Sequence, residues 1–215
     1  INRQEGFIGT NLRKDEFISD CSDIDDIIII KDNGLMQVVK VDSKVFVGKG
    51  ILHAAVFKKK DSRTIYNMIY LDGKSGYSMI KRFNVSSITR NKDYMLTRSN
   101  EGSKVLYLTA NPNGEAEMVT AHLRKNQRLK ILKIDYDFAD LTIKGKGSVG
   151  NILTKNNVKK IELKSVGVST LSARKIWFDT NVKRLNVESR GKLLGDFVAN
   201  DKILSINQSG SLELK

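Results

Sequence analysis

The chain has 215 residues, 40% of them hydrophobic and 28% charged, a mix ordinary for a folded soluble protein able to bury a core. Its 37 Lys and Arg against 24 Asp and Glu leave a formal net charge of +13, which favours a polyanionic partner, nucleic acid above all. The lone Cys21 excludes an internal disulfide, two separated histidines exclude the usual zinc spacings, and the longest pure apolar run, Ile27–Ile30, is too short to span a membrane.

In chain order, nearly every segment reads as a short strand. Apolar, β-branched runs meet at Asn/Asp/Gly turns, which supply the positive φ that tight hairpins require. Ile27–Lys31 and Met36–Val41 flank Asp32-Asn33-Gly34, and Tyr66–Leu71 and Ser78–Phe83 flank a turn containing Asp72-Gly73. Val105–Ala110 and Glu117–Leu123 flank Asn111-Pro112-Asn113-Gly114, so these two are expected to pair as a hairpin. Lys175–Phe178 with Val182–Val187, and Ile203–Asn207 with Ser211–Leu214, complete the set. Glu115–Lys125 has the best helical period in the chain, yet still reads as strand. The fold class is therefore all-β.

Glycine-bearing connections lie between the hairpins: Gly6–Gly9, Gly48-Lys49-Gly50, Gly145–Gly150 and Gly191–Gly195. Gly9 and Gly50 are 41 residues apart, and Gly150 and Gly195 are 45 apart. Such a period in an all-β chain predicts a propeller-like array of about five blades, one small sheet per repeat. No linker is visible, so residues 1–215 are expected to form one domain closed by its terminal strands. The chain starts Ile-Asn rather than Met and reads as a fragment of a longer subunit.

Charge is unevenly spread. Lys144–Lys192 holds 12 Lys and Arg against three acids, whereas Asp15–Asp32 holds seven acids and one lysine. A phrase with a basic pair recurs three times: Ile80-Lys81-Arg82-Phe83-Asn84-Val85, Val158-Lys159-Lys160-Ile161-Glu162-Leu163 and Val182-Lys183-Arg184-Leu185-Asn186-Val187. Each alternates like a strand with one buried face, and each pair is expected on the solvent side of its blade. With Lys49, Arg90, Lys92, Lys144, Lys146, Arg190 and Lys192 in the connections and the polar stretch, these pairs predict a curved basic rim. Glycines there let a phosphate approach the backbone, and adjacent cations supply counter-charge. Phe83, Tyr107 and Trp177 read as core aromatics.

Other chemistries fit less well. Gly145-x-Gly147-x-x-Gly150 has the dinucleotide spacing, but a strand and turn follow it instead of a helix, and no acid stands about 20 residues on. Asp20, Asp23, Asp25 and Asp26 lack the glycine and closing glutamate of a calcium loop and read as a solvated turn, or as a segment shielding the basic rim. Asp137-Phe138-Ala139 echoes a kinase metal motif without its catalytic loop, and His53 and Ser148 have no partner at nucleophile spacing. No catalytic residue, cofactor or metal is expected. A propeller binding an acidic protein, or a propeller enzyme acting on an acidic glycan, would account for the same charge.

Several ordered motifs resemble a known family. Ile65-Tyr66-Asn67 through Tyr70-Leu71-Asp72-Gly73-Lys74-Ser75-Gly76, Lys81-Arg82-Phe83, Thr109–Glu117 and Lys202-Ile203-Leu204 are similar to the C-terminal β-pinwheel domain of the A subunit of bacterial type IIA topoisomerases. That resemblance implies blades that exchange strands with their neighbours, and duplex DNA bent around a positive perimeter. It also implies a cytoplasmic, nucleoid-associated enzyme whose catalytic tyrosine and ATPase partner subunit lie outside this chain. The gyrase-type box, Gln-Arg/Lys-Arg-Gly-Gly-Arg/Lys-Gly, is matched by neither Arg3–Gly9 nor Lys144–Gly150. The resemblance therefore leans to topoisomerase IV, with decatenation and relaxation rather than negative supercoiling.

Overall fold

A computed structural model describes residues 1–12, 15–125, 127, 129–198 and 201–214. It comprises two compact units, Ile1–Gly167 and Val168–Lys215. The strands of the first part are β1 (Phe7–Ile8), β2 (Asp26–Lys31), β3 (Leu35–Lys40), β4 (Val45–Phe46), β5 (Ile51–Phe57), β6 (Ile65–Leu71) and β7 (Ser78–Asn84). There follow β8 (Tyr94–Met95), β9 (Lys104–Asn111), β10 (Glu115–Leu123), β11 (Lys133–Asp137), β12 (Lys144–Gly145), β13 (Asn151–Thr154) and β14 (Val158–Ser169). The later strands are β15 (Arg174–Asp179), β16 (Arg184–Asn186), β17 (Lys192–Phe197), β18 (Leu204–Ile206) and β19 (Leu212–Leu214). The all-β class is as expected. No helix among the described residues is long and apolar enough to cross a membrane.

Small sheets succeed one another along the chain. The pair β1-β4 and the sheet β5-β2-β3-β8 come first, then β12-β7-β6-β9 with β13 also on β7, then β11-β10-β14. Later residues form β16-β15-β17 and β18-β19. The expected hairpins β2–β3, β6–β7, β15–β16 and β18–β19 pair antiparallel.

One expected hairpin is not a hairpin. The turn at Asn111–Gly114 forms, with Gly114 N–H donating to the Asn111 carbonyl at 3.0 Å, but β9 pairs with β6 while β10 pairs with β11. The turn hands the chain from one sheet to the next. Strands are also returned backwards: β8 pairs with β3, and β12 and β13 both pair with β7.

The burial pattern explains the isoleucine run. Successive residues on a strand face opposite sides of the sheet. Ile28 and Ile30 join a core with Met36, Met68, Tyr70, Met79 and Phe83, whereas Ile29 packs on the other side with Ile8, Val39 and Ile51. Likewise Ile69 and Ile80 face Val119 and Phe138, away from Met68 and Met79. Both faces of these sheets are covered, so their strands read as continuous apolar runs instead of alternating ones. Phe83 is fully buried, Tyr107 stacks on Phe138 with centroids 6.2 Å apart, and Trp177 is half-buried. Among the described residues of 168–214 none is buried.

Candidate nucleic-acid interface

The three basic pairs do not share one environment. Lys81 and Arg82 lie mid-strand in β7, each only 2% exposed. Lys159 and Lys160 are exposed on β14, and Lys160 pairs with Glu162. Lys183 sits in a turn with φ of 51°, and Arg184 opens β16, both exposed. The expectation that Lys81 and Arg82 line a basic surface is corrected here. Alternation places side chains on one face or the other, but β7 is covered on both faces, so its cations face neighbouring sheets.

Both buried cations are satisfied by protein oxygens. Lys81 Nζ donates to the carbonyls of Leu96 at 2.7 Å, Lys146 at 2.9 Å and Ser148 at 2.7 Å, and lies 4.5 Å from the centre of the Phe83 ring. Burial pushes its pKa down to about 7. Those three carbonyls accept all three protons of an ammonium, whereas a neutral amine would leave one unserved. On the opposite face, Arg82 donates to the carbonyls of Gly114 at 2.7 Å and Glu115 at 3.2 Å, and to Asn67 Oδ1 at 3.2 Å. Burial lowers the Arg82 pKa, with Asp137, Glu117 and Glu115 pulling the other way. Both residues are fasteners between chain segments.

The exposed cations do converge at one place. Lys92 and Lys146, far apart in sequence, both lie over the Tyr94 ring, at 5.7 and 4.9 Å from its centre. Lys146 Nζ also donates to the Ser87 carbonyl at 2.6 Å. The Thr89 hydrogen bond, with Lys92 and Lys146 adding to it, holds the Tyr94 phenol below its ordinary pKa. Lys144 is exposed at the start of the same loop, on β12, which runs parallel to β7. Tyr94 escaped the sequence reading, because nothing in its neighbourhood ties it to a lysine more than fifty positions away.

Other expected site residues stand apart. Arg90 is engaged, its Nε 2.7 Å from the Asp26 carboxylate, which is 5% exposed and also 3.8 Å from Lys59. The acidic segment thus neutralises one cation of the anticipated rim. Lys49 is exposed between Gly48 and Gly50. Lys192 is exposed on β17, and Arg190 pairs with Glu188 at 3.1 Å. Arg184 and Arg190 line a concavity of about 440 Å³ shared with Asp179 and Glu188, a mixed-charge surface.

The loop joining β12 to β13 contains two kinds of glycine. Gly150 has φ of +88°, and a Cβ there would stand 2.4 Å from the Ile80 carbonyl oxygen, so the fold demands glycine. At Gly145 and Gly147 φ is ordinary, and nothing lies within 4 Å of where a Cβ would be. Their bare backbone faces open space beside Lys144 and Lys146. Gly150→Ala is expected to lose about 1–3 kcal/mol in urea denaturation, and Gly147→Ala less than about 0.5 kcal/mol. Equal losses would show that both glycines serve the fold alone.

An all-β chain of exchanged sheets, with exposed lysines gathered about a glycine loop, is the setting in which comparison with known proteins becomes informative. The family model described as topoisomerase C-terminal domain, Bacteroidota, matches residues 1–165, and the chain belongs to that family. It is 27% identical over 165 residues to the A subunit of DNA topoisomerase 4 from Borreliella burgdorferi, a match covering 76% of this chain and 24% of that protein. The chain thus spans about a quarter of the length of the curated relative it matches. A solved structure, the crystal structure of the C-terminal domain of DNA topoisomerase IV, matches with a TM-score of 0.43 at 12% identity, covering 89% of this chain and 69% of that one.

Proposed function

We propose that this chain is a non-catalytic module that binds and bends duplex DNA, with little sequence preference, for a type IIA topoisomerase whose reaction is carried out by other parts of the A subunit, together with its ATPase partner. The observation that carries this reading is the convergence of Lys92 and Lys146 on Tyr94 beside the open backbone of Gly145 and Gly147. Lys144, Lys159, Lys160, Lys183, Arg184 and Lys192 extend the exposed positive charge, and membership of the topoisomerase C-terminal domain family agrees with the role. Bending a duplex by 40–90° costs on the order of 1–6 kcal/mol, which several phosphate contacts and their released counterions offset. The lean towards decatenation and relaxation rests on the absence of a gyrase-type box.

Salt dependence tests the proposal. Replacing Lys92, Lys144 and Lys146 together by Gln is expected to weaken binding to any duplex by roughly tenfold or more, and to reduce the log–log salt slope by about 2–3, near 0.9 per phosphate released. The unrelated pair Lys58 and Lys59 serves as the control. A wild-type chain that does not bind duplex DNA, or a triple variant with an unchanged slope, would refute it.

A further inference from the structure

Lys81 does more than fill a buried position. Along the open edge of β7, Lys144 and Gly145 pair in parallel with Phe83 and Asn84, and Asn151 and Ile152 pair antiparallel with Ile80 and Met79. Between them the chain turns over Lys81, closed by the Ser148 N–H donating to the Gly145 carbonyl at 3.0 Å. The carbonyls of Lys146 and Ser148 both point inward to Lys81 Nζ. No peptide bond here is cis, and in a trans peptide the C=O and the following N–H point in opposite directions. The N–H groups of Gly147 and Val149 are therefore turned outward. Gly147 is exposed with no atom near its absent Cβ, Val149 is 40% exposed, and its carbonyl is fixed from the other side by the Tyr70 hydroxyl at 2.8 Å.

Two outward amides flanked by Lys144 and Lys146 make an anion-binding concavity of the kind backbone N–H groups form around phosphates. We infer that the Gly147 and Val149 amides bind a phosphodiester oxygen of nucleic acid, and that Lys81 is the positioning residue that turns them outward without touching the ligand. All three of its protons are spent on the carbonyls of Leu96, Lys146 and Ser148, so none remains for a phosphate. The inference rests on the DNA-binding reading above and adds to it the atoms that meet the backbone.

Amide NMR of the 215-residue chain tests this. On titration with a short DNA duplex, the Gly147 and Val149 amide protons are expected to move downfield and saturate together with the rest of the interface. Lys81→Met is expected to lose most of that movement, with duplex affinity falling roughly fivefold, about the worth of one hydrogen bond. Amides around Lys159 and Lys160 should keep their response, and Lys81→Gln, with two donors left, should recover part of the Gly147 shift. A merely structural lysine would lower the melting temperature while leaving the Gly147 shift at saturation intact, and that result overturns the inference. If neither variant folds, the wild-type titration decides. Shifts elsewhere but none at Gly147 and Val149 overturn the site while DNA binding stands; no shifts anywhere defeat the DNA reading itself. Movement with inorganic phosphate but not with duplex marks a free-anion site and also overturns it.

Discussion

Arg82→Ala is expected to destabilise the first unit by about 3–5 kcal/mol, the usual loss when one member of a buried charged network is removed. Arg82 donates to the Gly114 and Glu115 carbonyls and to Asn67. Asn67 in turn donates to Glu117 at 2.8 Å, and the Thr109 hydroxyl donates to the same carboxylate. Glu117 is itself buried. Truncating the arginine strands several acceptors and leaves that carboxylate without its nearby cation. Arg82→Lys is expected to recover little, because a single ammonium cannot serve carbonyls on β10 and an amide on β6 in the fork geometry of a guanidinium. Urea denaturation followed at both variants provides the check. A loss below about 1 kcal/mol for Arg82→Ala would mean that the network contributes little beyond its own desolvation.

Acid is expected to weaken the fold through His53 before the carboxylates titrate. Its ring packs edge-on against Tyr66 at 5.7 Å, and burial, with Arg3 adding to it, pushes its pKa down to about 4. An unfolded histidine binds its proton near pH 6.5, so between about pH 6.5 and 4 the unfolded chain holds more protons than the folded one. Stability is therefore intact above pH 6.5, falls as pH drops through that window, and levels off below about 4. The loss is on the order of 3 kcal/mol from this group. Asp61 and Asp72 are held below the ordinary carboxylate range, so their contributions disappear at still lower pH. In His53→Phe the melting temperature should stay nearly level between pH 6.5 and 4.5. An unchanged acid slope in that variant would assign the effect to other groups.

Much of the architecture was legible from residues. The hairpins at Asp32-Asn33-Gly34 and Asp72-Gly73 form because those turn residues admit the required φ, with Gly34 at +84° and Gly76 at +69°. Asn111–Gly114 has the same chemistry and yet joins two sheets, because a tight turn dictates a reversal of the chain and says nothing of which strand the next segment pairs with. The candidate site was legible only in part. The phrase at Ile80–Val85 matches those at Val158–Leu163 and Val182–Val187 letter for letter in its polarity. What separates them is burial by β8, β10 and the loop before β13, none of which is near in sequence. Alternation reports a face, whereas function depends on what covers that face. Tyr94 was missed for the same reason.

The backward return of strands has a consequence for biosynthesis. The β6–β7 hairpin is complete at Asn84, but its outer edge is closed by Lys144–Gly145 and Asn151–Thr154, and Lys81 meets its last acceptor only at Ser148. A nascent chain emerging from the ribosome must therefore carry an unfinished sheet, with an ammonium lacking its partners, for some seventy residues of further translation. No blade of this kind can mature alone: each waits for its successor, so a premature stop before Thr154 would spoil a hairpin that had left the exit tunnel long before.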